Sequence, residues 1–193
     1  MLIGHLNHPE VIGTMGQLPK GSIDLIETVE DANYYTKKNN KNIAYVTQTT
    51  LSVSDTKNIV TVLKNKFPEI KEPVKEDICY ATTNRQEVTV KLAKEVDLVL
   101  VVGASNSSNC NRLKDVAIDS GTNSYLINSF EEIKPEWLKN INKLGLTSGA
   151  STPDKLVYEI ITKLKPKSVH KVEDKSENIV FEIPRKVKSL LDQ

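Results

Sequence analysis

One alternation recurs along this chain and narrows its possible folds: a short apolar run, a cluster of small hydroxyl and amide side chains, then a stretch of helical periodicity. Leu2-Ile3, Leu25-Ile26, Ile43-Ala-Tyr-Val46, Leu98-Val-Leu-Val-Val102, Ser124-Tyr-Leu-Ile127 and Leu144-Gly-Leu146 suit buried strands. Helical patterns lie between them. Ser52 to Lys66 places Val53, Thr56, Ile59, Val60 and Leu63 on one face, with Ser52 or Ser54 as the N-cap and Pro68 as the stop. Asn84 to Glu95, Ser108 to Ser120 with Gly121 beyond it, and Asp154 to Lys165 before Pro166 repeat the scheme. Strand, polar cluster, helix, strand is the pattern of βαβ units, whose sheets are parallel and covered by helices.

The expected fold class is therefore α/β, with two small domains that are each a parallel sheet flanked by helices. The charged, proline-bearing segment Lys66 to Glu76 separates them, giving domains over residues 1–75 and 76–165 and a tail over 166–193. In the tail, Ser168 to Val172 is a short strand candidate, followed by a charged turn, Asn178 to Pro184 and a basic amphipathic end. His170 alternates with Val169 and Val172 as a strand-borne surface histidine and is given no role.

Four polar clusters open helices: Thr47-Gln-Thr-Thr-Leu-Ser52, Cys79-Tyr-Ala-Thr-Thr-Asn84, Ser105-Asn-Ser-Ser-Asn109 and Thr147-Ser-Gly-Ala-Ser-Thr152. Free N–H groups at a helix start, the positive end of its dipole and short hydroxyls all favour phosphate-like anions. In open parallel sheets ligands sit beyond the carboxyl ends of the strands, so the clusters are expected to converge on one cleft. Other partners are disfavoured. Lys and Arg number 26 against 25 Asp and Glu and aromatics are 5%, which removes the basic footprint and stacking surface of a nucleic-acid binder. No segment reaches membrane-spanning length and the start lacks a signal-peptide pattern, so the default expectation is a cytoplasmic protein.

The two cysteines, Cys79 and Cys110, lack the paired spacing of a disulfide scaffold or zinc knuckle. Cys79 lies at a helix start, where a thiol's pKa falls and thiolate is favoured; a nucleophile and a metal ligand are both open. Cys110, one residue after Asn109 and inside a helix, reads as structural filler. Near the N-terminus, Gly4-His-Leu-Asn-His-Pro-Glu10 sets Pro9 at the first position of a helix, with His8 near its N-cap and Glu10 in its first turn. The dipole alone would explain Glu10, yet His and Glu at an anion-binding mouth can also bind charge and deliver a proton. His5, on the strand side, reads as structural.

Taken in order, His5-Leu-Asn-His-Pro-Glu-Val-Ile-Gly-Thr-Met-Gly16, Thr47-Gln-Thr-Thr-Leu-Ser52, Asp77-Ile-Cys-Tyr-Ala-Thr-Thr-Asn-Arg-Gln86, Val102-Gly-Ala-Ser-Asn-Ser-Ser-Asn-Cys-Asn-Arg112 and Gly149-Ala-Ser-Thr-Pro153 resemble the 4-hydroxy-3-methylbut-2-enyl diphosphate reductases. The resemblance runs from Leu2 through Pro184. It implies reductive removal of the hydroxyl of an allylic alcohol diphosphate at a 4Fe-4S cluster, giving isopentenyl and dimethylallyl diphosphates in the non-mevalonate isoprenoid pathway. Cys79 matches the last of three cysteines that hold the cluster. Glu10 matches the proton donor and Thr49 a hydroxyl that relays the proton. His8, Ser107, Ser108, Asn109 and Ser151 match residues around the diphosphate, with Thr82 and Asn84 in support. An electron donor such as ferredoxin or flavodoxin is implied as a partner.

The resemblance also has a gap. The family has three similar α/β domains, and this chain resembles the second and third. Two cluster cysteines belong to the first, so the isolated chain is expected to be incompetent and to need a separate N-terminal fragment, and its unmatched faces are expected to be open and partly apolar. The alternative is a non-catalytic remnant or a diphosphate-binding α/β module.

Overall fold

The computed structural model describes residues 1–37, 42–172, 182–184 and 187. It holds two three-stranded parallel sheets. The first has the order β2-β1-β3, with β1 Leu2–Ile3 between β2 Leu25–Ile26 and β3 Val46–Thr47. The second has the order β5-β4-β6, with β4 Leu98–Val102 between β5 Ser124–Ile127 and β6 Leu144–Ser148. Six α-helices accompany them: α1 Pro9–Met15, α2 Val29–Tyr34, α3 Val53–Lys66, α4 Tyr80–Ala93, α5 Ser108–Asp119 and α6 Asp154–Leu164. The α/β class with two parallel sheets is as the sequence predicts.

β4 shows why the second sheet forms. All five of its residues are buried, and its alternation divides them between two cores. Val99 and Val101 pack with Cys110, Leu113 and Ala117 of α5 and Ala93 of α4, whereas Leu98, Leu100 and Val102 pack with Ile127 and with Ile160 of α6. Each such aliphatic side chain contributes about 1.5–3 kcal/mol on full burial. The first sheet has its own core of Ile3, Ile26, Ala32, Tyr45, Leu51, Ile59, Leu63 and Ile70, against which Ile78 also packs.

Helix boundaries follow local chemistry. Ser52 is the N-cap of α3 and accepts the Asp55 N–H at 3.2 Å. α5 ends at Ser120, and Gly121 follows with φ +92°, a conformation that glycine adopts without a Cβ clash. α6 ends at Lys165, in the left-handed region, just before Pro166.

Several expectations are corrected. Residues 43–46 do not pair along their length with β1: Tyr45 donates to the Lys71 carbonyl and Lys71 to that of Ile43, so only Val46–Thr47 joins the ladder. The helix placed from Asn84 begins at Tyr80, because the Thr82 and Thr83 N–H groups both reach the Cys79 carbonyl and start the first turn there. Cys79 also follows no strand, so three of the four polar clusters, not all four, stand at strand carboxyl ends. Ser168 to Val172 is solvent-exposed and forms no strand. The tail stretch Asn178 to Pro184 falls mainly outside the described residues.

Candidate functional site

An unbroken sequence of hydrogen bonds joins five of the candidate residues. The Cys79 N–H donates to the Thr49 carbonyl at 3.1 Å. Thr49 in turn donates to both oxygens of Glu10, its N–H to Oε1 at 2.9 Å and its hydroxyl to Oε2 at 3.1 Å. The Glu10 N–H reaches His8 Nδ1 at 3.3 Å, and His8 Nε2 lies 2.6 Å from Ser108 Oγ. Since Nδ1 accepts, the ring proton sits on Nε2, and the Ser108 oxygen is the acceptor there.

Each position has a local cause. Pro9 opens α1 with His8 as its N-cap, and that geometry puts Glu10 in the first turn, as the sequence predicts. Thr49 sits in the turn after β3, where Thr47 donates to Asp77 Oδ2 at 2.8 Å. Cys79 is exposed and is the N-cap residue of α4, and its thiol makes no capping hydrogen bond, which leaves the sulfur available. Glu10, Thr49, His8 and Ser108 are half-buried.

The Ser-Ser-Asn loop divides its labour. Ser107 is the N-cap of α5, accepting the Cys110 N–H at 3.3 Å, and Ser108 faces His8. Asn109 keeps a buried side-chain oxygen with no hydrogen-bond partner, while its amide nitrogen lies 3.9 Å from where a Cβ on Gly149 would stand. That places Asn109 beside the 147–152 turn, which carries Ser151 exposed at its surface. Cys110 is 1% exposed, and its sulfur fills the space that a Cβ on Gly103 or Gly149 would need, at 2.3 and 2.5 Å. It is structural filler, as expected. Thr82 is buried inside α4.

Four residues in this neighbourhood escaped the sequence reading. Gln48, fully buried, accepts the His5 N–H at 3.0 Å and donates to Thr50 Oγ1 at 3.0 Å. Gln86 holds the backbone at Leu51 and Val53, and Asp77 holds Thr47. Arg112 lies 3.5 Å from Asp55 and 3.4 Å from His5 Nε2, beside a cavity of about 240 Å³ that His5, Gln48, Thr50 and Ser108 help to line. The only sequence signal was their presence inside the motif strings.

Among the described residues no three His, Cys, Asp or Glu side chains gather into a metal-binding group, and no helix is long and apolar enough to cross a membrane. The exposed thiol of Cys79 suits one iron–sulfur ligand, and among the described residues no group of three such ligands stands with it.

Fold and contacts define a two-sheet α/β protein whose hydroxyl, amide, imidazole and carboxylate groups meet at one polar junction. The chain belongs to the LytB protein family, whose model matches residues 1–165. It is 48% identical to a 4-hydroxy-3-methylbut-2-enyl diphosphate reductase of Buchnera aphidicola, covering 100% of this chain and 63% of that protein. Against the reductase of the same name from Histophilus somni the identity is 50%, covering 97% and 62%. The solved structure of the E-1-hydroxy-2-methyl-but-2-enyl-4-diphosphate reductase from Plasmodium falciparum superposes with a TM-score of 0.88 at 37% identity, over 99% of this chain and 61% of that one. The chain thus spans a little over three-fifths of the length of these relatives.

Proposed function

We propose that this chain is the diphosphate-binding and proton-delivering part of a 4-hydroxy-3-methylbut-2-enyl diphosphate reductase, with residues 1–75 and 76–165 as two of its domains. The observation that carries the reading is the continuous contact from Cys79 through Thr49 and Glu10 to His8 and Ser108. In the reaction the carbon–oxygen bond of the allylic alcohol breaks, two electrons enter the allyl group, and two protons are consumed, one leaving with the hydroxyl as water. Glu10 in its neutral form donates that proton, and Thr49 carries it across the short distance its hydroxyl already spans. Ser107, Ser108, Asn109 and Ser151 surround the diphosphate oxygens with donors, and His8 acts on the same group by orienting the Ser108 hydroxyl through its Nε2–H. Two-electron delivery through a 4Fe-4S cluster, from a donor such as ferredoxin or flavodoxin, belongs to the completed protein, to which Cys79 contributes one thiolate.

Two features support a neighbour that completes the site: the absence of any three-ligand group among the described residues, and exposed Leu6, Ile12 and Leu18 on and around α1. The single thiolate also keeps a second reading in view, a non-catalytic diphosphate-binding module. Anaerobic iron–sulfide reconstitution separates the two. The chain is reconstituted alone and together with the N-terminal third of the Buchnera relative, then followed by visible absorption and by reduction of the allylic substrate. A cluster and turnover in the mixture support the reductase. Pyrophosphate binding with neither cluster nor turnover in either sample supports the module.

A further inference from the structure

α4 carries a buried carboxamide that neither the proton path nor the anion loops use. Gln86 is 5% exposed, and both ends of its side chain are satisfied by main chain from the other sheet's half of the molecule. Its Nε2 donates to the Leu51 carbonyl at 2.8 Å and its Oε1 accepts the Val53 N–H at 3.1 Å. Those groups flank Ser52, the cap of α3, and lie two to four residues beyond Thr49. The same segment is held at Thr49 by the Cys79 N–H and at Thr47 by Asp77. Residues 47–53 are therefore bound along residues 77–86 at successive points, with Gln86 at the far end. The preceding Arg85 donates from Nε to the Ser148 carbonyl at 3.2 Å, so two consecutive residues of α4 hold the segment after β3 and the end of β6.

We propose that Gln86 is a positioning residue for the Glu10–Thr49–Cys79 array. A two-ended amide fixes both the distance and the direction of the peptide it binds, which an apolar side chain of equal length cannot do. Without it the Leu51 carbonyl and Val53 N–H lose their buried partner, the segment loosens from α4, and the Thr49 carbonyl releases the Cys79 amide. The placement of Thr49 against Glu10 loosens with it. The inference rests on reading that array as the proton path and thiolate of the proposed site, but its test needs no turnover.

The test uses amide hydrogen exchange, followed by NMR on the full chain. Gln86→Met keeps the length and removes both hydrogen bonds. Exchange at Thr49, Val53 and Cys79 is expected to accelerate about tenfold or more, the effect of losing one net hydrogen bond or two, with Val99 and Val101 of β4 unchanged. Gln86→Glu adds a rescue. When ionised, the introduced carboxyl opposes the Leu51 carbonyl; when protonated, it can donate to Leu51 and accept from Val53. Protection should therefore return at acidic pH to within about threefold of the native chain at the same pH, below the change one lost hydrogen bond produces. The native baseline corrects for Glu10, Asp77, Asp55, Cys79 and Arg85, which also face or adjoin the segment. Native protection at Thr49 and Cys79 in Gln86→Met, equal loss in β4, or no acid rescue would each overturn the proposal. If Gln86→Met does not fold, the Gln86→Glu series decides alone. These amide rates do not depend on reconstitution, so this proposal and the functional reading fail separately.

Discussion

His8 Nε2 meets Ser108 Oγ at 2.6 Å across one hundred residues of sequence, and this contact ties the first sheet's loop to the Ser-Ser-Asn loop of the second. Because the serine oxygen accepts the imidazole proton, its own hydrogen is left to point at a ligand. Ser107 next to it caps α5 instead.

The two serines should therefore respond differently to removal. Ser107→Ala is expected to lower the unfolding free energy by about 1 kcal/mol, as for a lost N-cap. Ser108→Ala should cost about 0.5–1.5 kcal/mol for the lost His8 contact and in addition weaken binding of inorganic pyrophosphate about tenfold, the worth of one hydrogen bond to a charged group. Urea denaturation and titration calorimetry on the same samples check both.

Glu10→Gln keeps the shape of the Thr49 contact, since an amide can accept the Thr49 N–H and donate to its hydroxyl. It removes the acidic proton. In the chain completed with the N-terminal third of a relative, turnover should fall by about 10²–10⁴, the usual contribution of general acid catalysis, with pyrophosphate affinity nearly unchanged. Equal losses in both would point to binding and not proton transfer.

Cys79 is exposed and Cys110 is 1% exposed. Native iodoacetamide treatment should label Cys79 alone, and Cys110 only after unfolding, as peptide mass spectrometry can read directly. Labelling of Cys110 in the folded chain would contradict the tight packing of its sulfur against Gly103 and Gly149.

Gly149→Ala places a Cβ 2.5 Å from the Cys110 sulfur. Overpacking of this kind costs about 1–3 kcal/mol. Combining it with Cys110→Ala removes the opposing atom, so the double variant should unfold at a higher urea concentration than Gly149→Ala alone.

Tyr45 carries a pH signature in stability at the alkaline end. Burial raises its phenol pKa first, helped by the hydrogen bond to Glu72 at 3.1 Å and by the nearby carboxylates of Glu72, Asp77 and Glu76, to about 12. The unfolded chain loses this proton near its ordinary value of 10.0, before the folded chain does. Stability from this group is thus complete below pH 10 and declines as pH rises toward 12. Urea midpoints should fall across that window more steeply for the native chain than for Tyr45→Phe.

The two-sheet α/β organisation could be read from particular segments. β4 and β5 have the predicted bounds because a parallel strand buried on both faces is a continuous apolar run, and Leu98-Val-Leu-Val-Val102 is one. Pro9 likewise marked the start of α1 and the place of Glu10 in its first turn. The stretch from Ile43 read as a strand on the same evidence, but its neighbour in space, Lys71, took the pairing. The start of α4 was placed four residues late because the polar run Thr82 to Arg85 looked like a loop and is helix.

Apolar period and helix punctuation are local properties, so the sequence alone determined which segments are strands and helices and which loops carry hydroxyls, amides, His8, Glu10 and Cys79. It could not determine how those loops join. The links from Cys79 to Thr49, Thr49 to Glu10, His8 to Ser108 and Gln86 to Leu51 span 30, 39, 100 and 35 residues, and three of them use backbone N–H or C=O groups. Only packing of the two sheets brings those groups within hydrogen-bonding range, and so only the tertiary structure joined Cys79, Thr49, Glu10, His8 and Ser108 in one run of contacts.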